Sequence, residues 1–181
     1  MRLKKIINSI SCGFSFREKI ENDLLGCVYV IQAKDIQPNS LNTEATIKIK
    51  VEDIKEKFVL RDDDILLTNK GRFSSCVFKN LPDKTFIASS GMFVINVHSE
   101  NYLPEYISMF LNSNKGQCQI TSKLETMTIP SLTKESLLAI EIPDVSIVEQ
   151  QQLINVTKAF MEYESLVSKK ISLCKKIIGV K

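Results

Sequence analysis

Residues 60–75, LRDDDILLTNKGRFSS, set three consecutive carboxylates ahead of an apolar run and a basic loop, Asn69, Lys70, Gly71 and Arg72. Two chemistries suggest themselves: the acids as a metal or acid–base cluster, and the loop as a phosphate cradle. Side chains of neighbouring residues in extended chain point to opposite faces. Asp62, Asp63 and Asp64 therefore cannot converge on one ion without an unusual turn. Aspartate favours turns because its side chain bonds nearby backbone, so the acids predict a tight turn before the strand ILLT. The loop lacks the upstream glycine and the Gly-Lys-Ser/Thr order of a nucleotide-binding loop. The other possibility is a strand that carries a basic recognition loop.

Other reactive constellations are missing from the sequence. His98, the single histidine, ends the run FVINVHSE with no cysteine or carboxylate at ligand spacing, and reads as a surface or strand-end residue. No GxGxxG and no GxSxG occurs; ASSGM (88–92) reads as a Ser-Gly turn. A cofactor-dependent methyltransferase would need a glycine-rich strand–helix turn, which the six scattered glycines do not supply. An enzyme is thus poorly supported, and no metal or other cofactor is expected. The five cysteines, at 12, 27, 76, 118 and 174, are odd in number and form no CxxC, which predicts reduced, structural thiols.

The chain is 181 residues long, 44% apolar and 25% charged, as expected of a folded globular protein. No apolar run reaches membrane-spanning length. The opening MRLKKIINSI has no long apolar core or cleavage site, so no signal peptide and a cytoplasmic location are expected. A net charge of +3 is too small to announce nucleic acid, so any basic surface must be local. Residues 65–134 carry seven basic residues against four acids, among many amides and hydroxyls. Lys and Arg displace counterions from phosphates, and Arg, Asn, Gln and Thr address base edges. A solvated surface has a similar composition.

These residues need positioning elements. The chain predicts strands in 26–36, 58–68 (strand, turn, strand) and 84–97 (two runs around SSG), with turn chemistry at 36–42. A short amphipathic opening should precede a loop at Gly13. A helix should start near Pro104 and stop near Asn114 and Gly116. Residues 131–143 suggest a short helix running into a strand that Pro143 ends. A domain of 1–145 is expected, followed by one long helix of 146–181. SIVE has the form of a capping box, Ser146 with Glu149. With Leu153 at heptad position a, the a positions are Leu153, Phe160, Val167 and Cys174, and the d positions Val156, Tyr163, Lys170 and Ile177. Lys170 alone breaks the apolar pattern, and Ile171 stands beside it. The pattern predicts a coiled-coil seam for projection and pairing; the alternative is a long helix folded back on the domain.

The order of segments resembles the specificity (S) subunit of type I restriction-modification systems. ISCGFSFREKI looks like the glycine-plus-Phe-Arg opening of that family's target recognition domain. LRDDDILLTNKG looks like its turn, strand and basic loop, and YLPEYISMFLNSNKGQ its Pro-Glu-Tyr helix. TIPSLTKESLLAIEIPDVSIVEQQQLI resembles its exit into a long helix and is the most specific of the four. One departure is that members often carry a glycine just before T-I-P, where this chain has Glu125, Thr126 and Met127.

The resemblance implies an α+β fold: a mixed β-sheet target recognition domain with short helices, then a long C-terminal coiled-coil helix. It implies sequence-specific binding of double-stranded DNA, docking of a methyltransferase (M) subunit and, through it, of a restriction (R) subunit. The expected DNA-binding residues are Gly13, Arg17, Asn69, Lys70, Gly71, Arg72, Lys123, Thr126 and Thr128. Lys70 and Lys123 suit phosphates, Arg17 and Arg72 phosphates or base edges, and the glycines a turn or close approach. Family members usually carry two recognition domains and two long helices packed antiparallel, so this chain looks like a half-subunit. Its expected partner is a second copy or another half-subunit, along Leu153, Val156, Phe160, Tyr163, Val167, Ile171, Cys174 and Ile177. A homodimer should read a two-part palindrome. The alternative is a coiled-coil interaction protein, a decoy or regulator of a methyltransferase subunit, with no DNA role. The lysines of 169–181 suit either a DNA contact or a solvated helix end.

Overall fold

A computed structural model describes residues 1–44, 46–50, 54–97, 99–124 and 130–179. His98, Glu125, Thr126, Met127, Thr128 and Lys181 lie outside them. The chain forms two compact units, Met1–Asp144 and Val145–Lys181.

The first unit is built on two small sheets. Strands β1 (Ile7–Cys12), β6 (Ile65–Thr68), β7 (Ser75–Val77) and β9 (Met92–Val97) form an antiparallel sheet in the order β1-β9-β6-β7. Strands β2 (Val28–Ile31), β5 (Ile47–Ile49) and β8 (Thr85–Ala88) form a mixed sheet, with β2 antiparallel to β5 and parallel to β8. A two-residue hairpin joins β3 (Ile36–Gln37) to β4 (Ser40–Leu41) across Asn39, whose φ of 58° suits asparagine. Three short helices complete the unit: α1 (Pro104–Asn112), α2 (Asn114–Thr121) and α3 (Lys134–Leu138).

Every residue of β6 is buried, which is why ILLT shows no alternation: this central strand is covered on both faces. One apolar cluster draws Ile31, Phe86 and Ala88 from one sheet and Leu66, Cys76 and Met92 from the other, and includes Phe78. Phe78 meets Phe86 edge-on at 5.3 Å, and Tyr29 stacks on Phe86 at 5.0 Å. Burial pushes the Cys76 thiol up to about 12, so this cysteine is an inert core residue. A second cluster, Val28, Val30, Ile49 and Ile87, is covered by Phe14, Phe16, Ile20 and Phe58.

The three acids form the expected turn and face three ways. Asp63 adopts φ 68° and pairs with Lys79. Asp62 Oδ1 accepts the Asn80 amide at 2.8 Å. Asp64 is buried; its carboxylate accepts the Arg61 amide at 2.8 Å and Asn96 Nδ2 at 3.0 Å. Among the described residues, no group of three or more His, Cys, Asp or Glu could hold a metal ion.

Four local readings need correction. The amphipathic opening is a short 3-10 turn, Leu3–Lys5, followed by edge strand β1, because Ile7–Cys12 finds β9 as a partner. The predicted strand before the acids is a 3-10 turn, Glu56–Phe58, with only Val59 bridged to Ile87. Asn114 and Gly116 do not stop a helix. Helix α1 ends at Asn112, Ser113 caps α2 by accepting the Gly116 amide at 3.2 Å, and both residues lie inside α2. Gly116 is required there for packing, since a Cβ would stand 2.1 Å from Phe110 O. After α3 the chain makes only an isolated bridge, Arg2 to Glu141, in place of a strand.

The second unit is one helix, α4 (Ile147–Ile178), 32 residues and about 48 Å long at 1.5 Å per residue. Its capping box is formed: Ser146 Oγ accepts the Glu149 amide at 3.3 Å, and Glu149 Oε2 accepts the Ser146 amide at 2.9 Å. Gly179, with φ 71°, ends it in the left-handed conformation. Among the described residues no helix is long and apolar enough to cross a membrane.

Candidate nucleic-acid interface

The loop of residues 69–72 leaves the end of β6 and returns into β7. Lys70 and Arg72 are the loop's charged side chains, and among the described residues no ion pair joins either to an acid, whereas Lys79 is paired with Asp63 and Glu105. Lys70, Gly71 and Arg72 are exposed, whereas Thr68, Asn69, Phe73 and Ser74 on either side are buried. Gly71 has φ 70°, a turn conformation that side chains rarely adopt.

The backbone beneath these exposed side chains is bonded at many points. Thr68 Oγ1 donates to Arg72 O and accepts the Ser74 amide at 2.9 Å. The Asn69 amide donates to Gly91 O at 3.1 Å, and its side-chain Nδ2 to Ser90 O at 3.1 Å. The Gly71 amide donates to Pro130 O at 3.2 Å, the Leu132 amide to Asn69 O at 2.9 Å, and Lys70 is bridged to Ser131. Gln117 Nε2, from α2, donates to Phe73 O at 2.8 Å.

Gly13 meets the same support from another direction. Its amide donates to Met92 O at 3.1 Å, and a Cβ would stand 2.2 Å from Ser89 O. The turn 89–91, read in the sequence as only a Ser-Gly turn, thus holds Gly13 on one side and Asn69 on the other. Gly13 serves close backbone approach, and Gly71 serves the turn.

The remaining expected residues are distributed as follows. Asn69 is 8% exposed; its Nδ2 turns to Ser90 O, and its Oδ1 is buried without a partner among the described residues. Lys123 is half-buried just beyond α2, and its carbonyl accepts Ser136 Oγ at 3.2 Å. Arg17 is exposed on a separate segment, where it lines an open groove with Phe14, Phe16, Lys19, Ile49 and Lys50. Among the described residues no hydrogen bond or ion pair joins Arg17 to residues 69–72. Thr126 and Thr128 lie outside the described residues. Thr68 escaped the sequence reading, and Gln117 entered it only as one of the loop amides suited to DNA, whereas it lies in α2 and anchors the loop. A threonine ending an apolar strand and a glutamine in a polar helix look ordinary, and neither spacing nor type signals a loop anchor.

On α4 the apolar seam is open. Val156 is 69% exposed, Phe160 60%, Tyr163 64% and Ile177 85%; Leu153, Val167, Ile171 and Cys174 are exposed as well. The spacing of 3 and 4 holds from Leu153 to Val167, then takes two steps of 4 around Val167 at the cost of Lys170. Two steps of 3 follow, to Cys174 and Ile177, so the heptad phase is kept beyond Lys170.

A protein-family model, the type I restriction modification DNA specificity domain, matches residues 1–172. Solved structures resemble the chain as well, among them the following three. One comes from a study titled "Structural basis underlying complex assembly and conformational transition of the type I R-M system". It is 16% identical with a TM-score of 0.73, over 98% of this chain and 42% of that one. The type-I restriction-modification system S subunit from M. genitalium is 17% identical with a TM-score of 0.60, over 97% of this chain and 42% of its own. The HsdS subunit from Thermoanaerobacter tengcongensis is 18% identical with a TM-score of 0.68, over 97% of this chain and 45% of its own. At these identities the likeness is one of fold: sheets with short helices and a long C-terminal helix. This chain therefore spans less than half the length of those structures. No match was found among curated proteins. The family model, which runs over nearly all of the sequence, places this chain in the family of type I restriction modification DNA specificity domains.

Proposed function

We propose that the chain is a sequence-recognition component of a type I restriction-modification system, one that reads a DNA half-site and performs no chemistry of its own. The observation that carries the reading is the loop of 69–72. It offers the exposed cations Lys70 and Arg72 on a backbone bonded at both ends. Lys70 and Lys123 meet phosphates, and Arg72 and Arg17 meet phosphates or base edges. Thr126 and Thr128, between Lys123 and Pro130 in sequence, are proposed as DNA contacts as well. The chain docks a DNA methyltransferase subunit in the cytoplasm and reaches a restriction subunit through it.

The open seam of α4 supplies the pairing surface. Its occupant is a second copy of the chain or another chain with one recognition domain. A symmetric pair places two identical recognition domains about a two-fold axis, which suits a palindromic site with an undefined gap. The same open seam also favours a second reading, an interaction protein that occupies a methyltransferase subunit as a decoy or regulator.

Selection of duplexes from a randomised pool by the purified chain, followed by sequencing, separates these readings. An enriched two-part palindrome supports recognition by a symmetric pair. A single short motif keeps recognition and removes the symmetric pair. No enrichment, with and without the methyltransferase subunit, leaves the interaction-only reading.

A further inference from the structure

We infer that Thr68 and Gln117 are positioning residues for DNA recognition, which set the path of the backbone that carries Lys70 and Arg72. The inference rests on the loop of 69–72 being the reading element. Thr68 is 3% exposed, so it cannot reach a base or phosphate. Its hydroxyl is nonetheless fully used. It donates to the carbonyl of Arg72 and accepts from the amide of Ser74 at 2.9 Å, clamping the returning end of the loop onto the outgoing strand. Gln117 takes the next carbonyl, that of Phe73, at 2.8 Å, and with the same nitrogen holds Leu111 O at 2.7 Å. The two consecutive carbonyls that follow the Arg72 side chain are thus tied to β6 and to α2. The Ser74 amide also donates to Arg72 O at 3.1 Å, so that carbonyl accepts twice.

The consequence is specific to reading. A phosphate can be met by a guanidinium in many poses, because the contact is mainly Coulombic. A base edge demands a planar, two-point fit. An anchored loop loses less conformational freedom on binding than a free one, and only the contact that needs a fixed geometry gains discrimination from it. Removing the anchors should therefore lower affinity for the selected duplex and spare affinity for unrelated DNA.

The test compares Thr68→Val, nearly isosteric and without the hydroxyl, with Thr68→Ser, which keeps it, and with Gln117→Met on the half-buried side chain. Binding to the selected duplex and to a scrambled duplex is measured over a salt series, and hydrogen exchange of residues 70–74 is followed in the free protein. Thr68→Val and Gln117→Met are expected to lose about tenfold discrimination, which is 1.4 kcal/mol or about one hydrogen bond. They should keep the wild-type salt slope and exchange the loop amides faster while the β6 and β9 amides stay protected. Thr68→Ser should behave as wild type. Unchanged loop exchange in both Thr68→Val and Gln117→Met overturns the inference without any DNA. Equal losses on both duplexes, or failure of Thr68→Ser to rescue, also overturn it. A wild-type chain that selects no duplex instead defeats the DNA-reading proposal itself.

Discussion

The two units spend the same residue types in opposite ways. In Met1–Asp144 most of the large apolar residues are enclosed, Leu66, Ile65, Phe78 and Ile95 at 0% exposure, with Leu24 and Leu25 standing out as exposed exceptions. In Val145–Lys181, Phe160, Leu166, Leu173 and Ile177 are each more than half exposed. Apart from Leu24 and Leu25, the first unit covers most of its large apolar side chains and turns polar residues such as Thr68 and Gln117 to holding a loop. The second has a capped, well-formed helix whose apolar stripe has no counterpart within the unit. Exposed apolar area of this extent marks an interaction surface. Under the proposed function the contrast divides the labour, with recognition assigned to the first unit and assembly to the open helix.

The contrast can be broken most severely from inside the first unit. Phe78→Ala leaves a cavity at the point where the two sheets meet, and about 3–5 kcal/mol of unfolding free energy should be lost in chemical denaturation. A loss below 1 kcal/mol would mean that Phe78 is not central to the core. Next in size is Phe160→Glu on the open stripe. A buried apolar side chain contributes about 1.5–3 kcal/mol, twice over in a symmetric pair, so self-association should weaken at least about a hundredfold in sedimentation. The melting temperature of the first unit should stay put. If association is untouched, the stripe is not the pairing surface.

Arg72→Ala sharpens the recognition side. DNA affinity should fall by about 1–3 kcal/mol and the slope of log affinity against log salt should shrink by about 1, with the melting temperature unchanged. Affinity equal to wild type at every salt concentration would remove Arg72 from the interface. The smallest effect concerns the start of α4. The Ser146 amide, and then its hydroxyl, bond the Glu149 carboxylate and hold it below the usual glutamate range. A depressed folded-state value stabilises above the ordinary unfolded value, about 4.3, and the benefit disappears as pH falls through the folded value. The first helical turn should thus lose amide protection, measured relative to the intrinsic exchange rate at each pH, as the solution is acidified through that window. Glu149→Gln should flatten this dependence, and an unaltered pH profile in that variant would exclude the cap as its source.

Features written in neighbouring residues were legible. The aspartate turn, the strand ILLT, the two runs around SSG, the Pro104 start of α1 and the Ser146–Glu149 box all appear where the residues indicate. Misreadings occurred where packing overrode propensity. Gly116 looks like a stop, yet it sits in a helix because α2 passes tightly over Phe110. Ile7–Cys12 looks amphipathic, yet it is an edge strand because β9 offers a partner. Of the candidate site, the basic loop itself was visible. Arg17 was grouped with it by family likeness, while the structure sets Arg17 on a separate segment.

The sequence by itself determined the local grammar: which segments turn, where helices begin, the charge of residues 69–72 and the apolar period of α4. Each depends on side chains within a turn or a few residues of one another. Only the tertiary structure decided that Gly13 and Asn69 flank one turn, and that Thr68 and Gln117 hold the carbonyls beside Arg72. The bond from Gln117 to Phe73 spans 44 residues. No periodicity records such a pairing, because it exists only once the sheets and α2 have packed.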